Sequence, residues 1–165
     1  MTPEVRRMIL PKGITGFDVP SNLMAVNTKT FVADCWAAVV RQGGRVEDRP
    51  QVLPGAPSSF LSTVVVIQRG ELAVLLNAIY PWVGFCEPLA PGNCLLKFID
   101  ARSVAPALAA TGRYRVLSAK ELQCPVTDDM CRELGRAELQ QLKYWSGFAG
   151  RGPLRAGDVV FNFWD

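Results

Sequence analysis

Residues Phe60–Asn77 read FLSTVVVIQRGELAVLLN, two apolar runs rich in Val, Leu and Ile on either side of Gln68-Arg69-Gly70-Glu71. β-branched and aliphatic runs of this length, joined by a short polar link, predict a β-hairpin in which Gly70 supplies the positive φ that a tight turn requires. The arms are nearly continuous in apolar residues instead of alternating with polar ones. Such strands are expected to be covered on both faces, which places the hairpin at the centre of a sheet.

The flanking segments extend this pattern. TKTFVADCWAAVVRQGG (28–44) sets Phe31, Val32, Cys35, Trp36, Val39 and Val40 on one helical stripe, with Thr28 or Thr30 as the expected cap and Gly43-Gly44 as the stop. GGRVEDRPQVLPGAPSS (43–59) has Gly and Pro without periodicity and reads as a long connection. Beyond the hairpin, AIYPWVGFCEP (78–88) reads as an aromatic-rich extended segment and CLLKFID (94–100) as a further strand. SVAPALAATG suits a short helix between Ser103 and Gly112, and RYRVL (113–117) a short strand. Ser118-Ala119-Lys120-Glu121 matches a capping box, opening a helix that ends at Cys124-Pro125. TDDMCRELGRAELQQLKYW (127–145) predicts helix interrupted at Gly135, and DVVFNFW (158–164) a closing buried strand. Helices and strands mix without βαβ alternation. The expected class is α+β, one compact domain over 1–165 with a mainly antiparallel sheet flanked by helices and a Pro/Gly-rich loop at about 43–59.

Composition narrows the chemistry. The chain has 165 residues, enough to bury roughly 70% of its unfolded surface. Its apolar fraction of 49% against 20% charged leaves room for an apolar contact surface and for self-association. A net charge of +3 gives little basis for binding nucleic acid or an anionic membrane. The apolar stretch LAVLLNAIYPWVGF (72–85) is broken by Asn77 and Pro81, and MTPEVRRMILPKG has too short an apolar run for a leader or anchor, so a cytoplasmic location is expected. Cys35, Cys86, Cys94, Cys124 and Cys131 lack C-x-x-C spacing and read as reduced thiols, not as a disulfide framework or a zinc site.

The sequence holds no His. That removes Ser-His-Asp triads, Cys-His dyads and His-ligated metals, and no cofactor or metal motif is present. Cys35 near a helix start and the ending RAGDVVFNFW resemble pieces of NlpC/P60-type cysteine peptidases, but the His that family needs is missing. Cys35 lies on the apolar stripe and reads as a buried structural thiol. The carboxylates Glu87, Asp100, Asp128 and Asp158 have no spacing that selects a catalytic pair. An enzyme built on them or on Cys35 is the alternative reading.

Aromatic residues with a polar end anchor many protein interfaces. Tyr80 and Trp82, with Glu87 nearby, and Tyr144 with Trp145 are therefore the candidate partner-binding residues. The segments VLLNAIYPWVGFCEP and LKYW…AGDVVFNFWD, within residues 60–165, resemble immunity-type proteins of polymorphic toxin systems. That resemblance implies a non-enzymatic α+β protein that neutralises a cognate toxin by steric occlusion. A homo-oligomeric structural protein is the remaining alternative. Many nuclease-blocking immunity proteins are acidic, so a partner other than a basic nuclease is expected for a chain at +3.

Overall fold

The computed structural model describes residues 8–47, 59–88, 95–147 and 152–164. At its centre is the predicted hairpin: β2 (Phe60–Ile67) and β3 (Gly70–Asn77) pair antiparallel from Phe60↔Asn77 to Ile67↔Gly70. Gly70 turns the chain with φ +115°, in the region that side chains with a Cβ rarely enter. β1 (Arg45–Val46) lies outside β2, β4 (Trp82–Cys86) outside β3, and β5 (Arg115–Val116) closes the order β1-β2-β3-β4-β5. Every pairing is antiparallel except β4–β5, which is parallel.

The alternation of β3 shows how both sheet faces are covered. Leu72, Val74 and Leu76 point into a core with Val83 and Phe85 of β4, Phe31, Cys35 and Val39 of helix α1 (Thr28–Val40), and Leu108 of α2 (Ala105–Ala110). Ala73 and Leu75 point the other way. They meet Leu10 and Ile14 of the N-terminal segment, Leu122 of α3 (Ala119–Gln123), Leu142 of α4 (Arg136–Ser146) and Val159 of α5 (Ala156–Val160). A central strand covered on both faces must be apolar on both, as the run from Leu72 to Leu76 is. Gly84 of β4 faces this second layer, where a Cβ would stand 2.8 Å from both Leu122 Cδ1 and Phe161 Cε2.

Several local expectations are corrected. The cap of α1 is Asn27, whose Oδ1 accepts from Thr30 N–H at 3.1 Å, ahead of either threonine. The cap residue of α2 is Val104, with no side-chain cap from Ser103. Arg45 and Val46, expected in the long connection, pair with β2, and residues 48–58 of that connection lie outside the described residues. CLLKFID forms one bridge, Cys86↔Phe98, because the outer edge of β4 is shared: β5 takes Trp82 and Val83 and leaves Cys86 for Phe98. Cys94 lies outside the described residues.

The largest correction concerns DVVFNFW. Its first residues wind into α5 in place of a strand, because Asp158 accepts from Arg155 N–H at 2.9 Å and stabilises a helical first turn. The Arg155 guanidinium also pairs with Asp158, donates to Leu96 O at 3.0 Å and lies over the Phe98 ring. Phe161–Trp164 then runs on as irregular chain fixed by buried polar groups. Asn162 exchanges hydrogen bonds with Ser59, and its Nδ2 donates to Thr15 O and Val159 O. Asn77 at the end of β3 donates to Ile14 O at 2.9 Å and Val160 O at 2.7 Å. The expected capping box at Ser118 and Glu121 is present; of the helix expected on both sides of Gly135, only α4 after it forms, and residues 128–133 are turns.

Candidate protein-binding surface

Helix α1 carries apolar residues round most of its circumference. One half, Phe31, Cys35, Ala38 and Val39, is buried against the sheet. The opposite half, formed by Ala33, Trp36, Ala37 and Val40, is exposed, with Trp36 at 44% and Val40 at 57%. These four recur at i, i+3, i+4 and i+7 and so form one continuous stripe on the helix. A helix apolar on all sides is normally enclosed; here its outer stripe meets solvent. Trp36 and Val40, expected on one stripe with Phe31 and Cys35, belong instead to this outer stripe. The misreading has a physical cause: adjacent residues in a helix are 100° apart, so a wide apolar arc cannot be divided into core and surface by spacing alone.

α1 is held rigidly. Asp34, on its flank, accepts from both Nε and Nη2 of Arg113 and from the Tyr114 hydroxyl at 2.6 Å. The Arg113 bonds hold the Asp34 carboxyl below the usual carboxylate range against the opposing effect of burial. Burial pushes the Tyr114 phenol up, and Phe31 packs edge-on against its ring. At the C-terminal end, Gln42 Nε2 donates to Ser103 O at 2.9 Å and ties the helix to the chain ahead of α2.

Trp82 is only 8% exposed, with the Arg115 guanidinium 4.4 Å over its ring. Tyr80 is half-buried and donates its hydroxyl to Lys12 O at 2.5 Å. Glu87 is exposed at the far end of β4, paired with Lys97 at 3.0 Å. Trp145 is half-buried and stacks on Trp164. Tyr144 is 63% exposed and is the one ring of the set presented broadly to solvent. Tyr80 and Glu87 are separated by the length of β4, about 20 Å at the usual rise per strand residue. α4, which carries Tyr144, packs on the opposite side of the sheet from α1, so the two surfaces face different directions.

The groups an enzyme would need are dispersed. Cys35 is sealed in the core, and burial pushes its thiol up to about 12, as it does for Cys86. Asp100 accepts from Ala119 N–H at 2.8 Å, and Asp158 is committed to Arg155. The fully buried Glu138 is saturated: it accepts from Gly13 N–H, Thr15 N–H, Thr15 O–H and Gly135 N–H. Among the described residues, no three His, Cys, Asp or Glu side chains are grouped to hold a metal ion. No described helix is long and apolar enough to cross a membrane. No family model matches this chain, and no curated protein or solved structure matches it either.

Proposed function

We propose that this chain is a non-catalytic protein-binding module of immunity type, which silences a toxin by covering it, and that it binds through the outer stripe of α1. The observation that carries this reading is the solvent-facing row of Ala33, Trp36, Ala37 and Val40 on a helix whose other side is core. The small alanines let a partner approach the helix backbone closely, and Trp36 supplies the large ring that anchors interfaces of ordinary size. Arg113 and Asp34 keep that ring's helix in place before the partner arrives, which lowers the ordering cost of binding. The resemblance to immunity-type proteins supports the choice of a toxin as partner.

The test is co-expression with a toxin encoded beside this chain. The wild type is expected to restore growth and to co-purify with the toxin. Trp36→Ala should cost about 2 kcal/mol or more of binding while leaving the unfolding midpoint nearly unchanged. Tyr144→Ala should leave affinity intact, because it lies on the other side of the sheet. If Trp36→Ala binds normally and Tyr144→Ala does not, the interface is on α4. If the wild type neutralises no neighbouring toxin and light scattering shows a dimer that Trp36→Ala dissociates, the stripe pairs with a second copy instead.

A further inference from the structure

On the α1 side of the sheet, the β2–β3 turn faces the chain that runs from β4 to α2 across a cleft of about 700 Å³. Ile67 and Leu72 from the hairpin and Ile99 from the opposite wall give it an apolar floor, and Gln42 bridges its end by donating to Ser103 O. Arg69 stands at the hairpin tip and Arg102 on the facing wall. Neither guanidinium makes an ion pair with a described residue, although two carboxylates also line the cleft. Both carboxylates have other partners: Asp100 Oδ1 takes the Ala119 N–H at 2.8 Å, and Glu71 interacts with Glu47. A smaller cavity of about 410 Å³ shares Asp100, Ala101 and Arg102 and is walled mainly by Phe85, Ala105, Ala109 and Val116.

We infer that this cleft is a binding site for a small organic anion, a molecule with two carboxylate or phosphate groups on an apolar body. Its anionic groups take Arg69 and Arg102, and its body lies on Ile67, Leu72 and Ile99. A guanidinium presents a planar fork of donors that matches carboxylate and phosphate oxygens, and two forks lining one cleft favour a ligand with two anionic groups. The volume falls within the range of small-molecule sites, about 300–1,000 Å³. Because the walls come from a tight hairpin and from a segment pinned by Gln42, the site is largely formed before the ligand arrives. This inference does not depend on the protein partner and uses none of the residues of the α1 stripe.

The experiment is an amide-resolved NMR titration of the full chain with isophthalate and with 1,3-phenylene bisphosphate, each to about 5 mM, the weak end of measurable affinity. At least one of these is expected to shift the amides of Arg69, Gly70, Arg102 and Ser103 saturably, and isophthalamide, the uncharged counterpart of isophthalate, to leave them in place. Arg69→Ala and Arg102→Ala should each weaken the anion by about tenfold, with Arg69→Lys retaining part of the affinity. The inference is overturned if no anion shifts the cleft amides, if the neutral amide shifts them equally, or if the two alanine variants bind as the wild type does. Matching spectra away from the cleft show that the variants are folded.

Discussion

Single side chains decide much of how this chain is held together. Glu138 is fully buried and accepts four hydrogen bonds, three from the Gly13–Thr15 loop and one from Gly135 at the start of its own helix. Asp18 completes the arrangement by accepting from Ala137 and Glu138 N–H, so two carboxylates hold the N-terminal segment on the end of α4. Glu138→Ala would leave those donors buried without partners. It should destabilise the fold by roughly 3 kcal/mol or more in urea unfolding, and a loss below 1 kcal/mol would show that water replaces the carboxylate. Asp34 gives a pH-dependent counterpart. Its carboxyl is held below its ordinary value by Arg113, so the stability it contributes is present above the unfolded value near about 4 and is lost as pH falls through the folded one. Asp34→Asn should therefore be less stable than the wild type at neutral pH, with the gap narrowing as pH falls below the ordinary carboxylate range in parallel thermal melts. A gap independent of pH would mean that shape, not charge, is what Asp34 provides.

Among the elements, the hairpin was legible and the C-terminal segment was not. Val, Leu and Ile on both arms with Gly70 between them leave a buried hairpin as the consistent solution, and the register follows from the two-residue link Gln68-Arg69. The apolar residues of 158–164 suit a strand equally well in isolation. What turns the first of them into α5 is the Arg155–Asp158 contact together with a sheet whose neighbouring face is already filled by Leu75, Trp82 and Phe98. Gly84 is the point where strand and C-terminal segment meet most closely. Gly84→Ala should cost about 1–3 kcal/mol, because its methyl would press on Leu122 and Phe161. Unchanged thermal stability in that variant would mean that the C-terminal layer can retreat from β4. For α1, the sequence placed the helix and its end correctly. It misassigned Trp36 and Val40, since a helix with a wide apolar arc looks the same whether one side of it or all of it is enclosed.

Across the whole molecule, the sheet separates two apolar layers, and the first and last described segments both pack into one of them. Met8, Leu10 and Ile14 pack with Val159, Val160, Phe161 and Trp164, while Asn77 and Ser59 donate side-chain hydrogen bonds to Val160 O. Deleting residues 159–165 would strip these apolar groups from one face of the sheet and leave Asn77, Ser59 and Thr15 without the hydrogen bonds they make to Val160 and Asn162. The truncated chain should show no cooperative thermal transition, whereas a retained transition near the wild-type midpoint would mean that the C-terminal layer is dispensable. The same two-layer arrangement keeps the α1 stripe and Tyr144 apart, so a partner that covers one leaves the other in water.

The sequence by itself determined the class of fold, the central hairpin, most helix positions and the absence of imidazole chemistry, because these depend on local periodicity, turn residues and composition. Only the tertiary structure decided which apolar side chains face water, that the C-terminal run begins as a helix, and that Arg69 and Arg102 line one cleft. Those outcomes depend on what packs against what over long separations in the chain, and spacing along a sequence carries no measure of that.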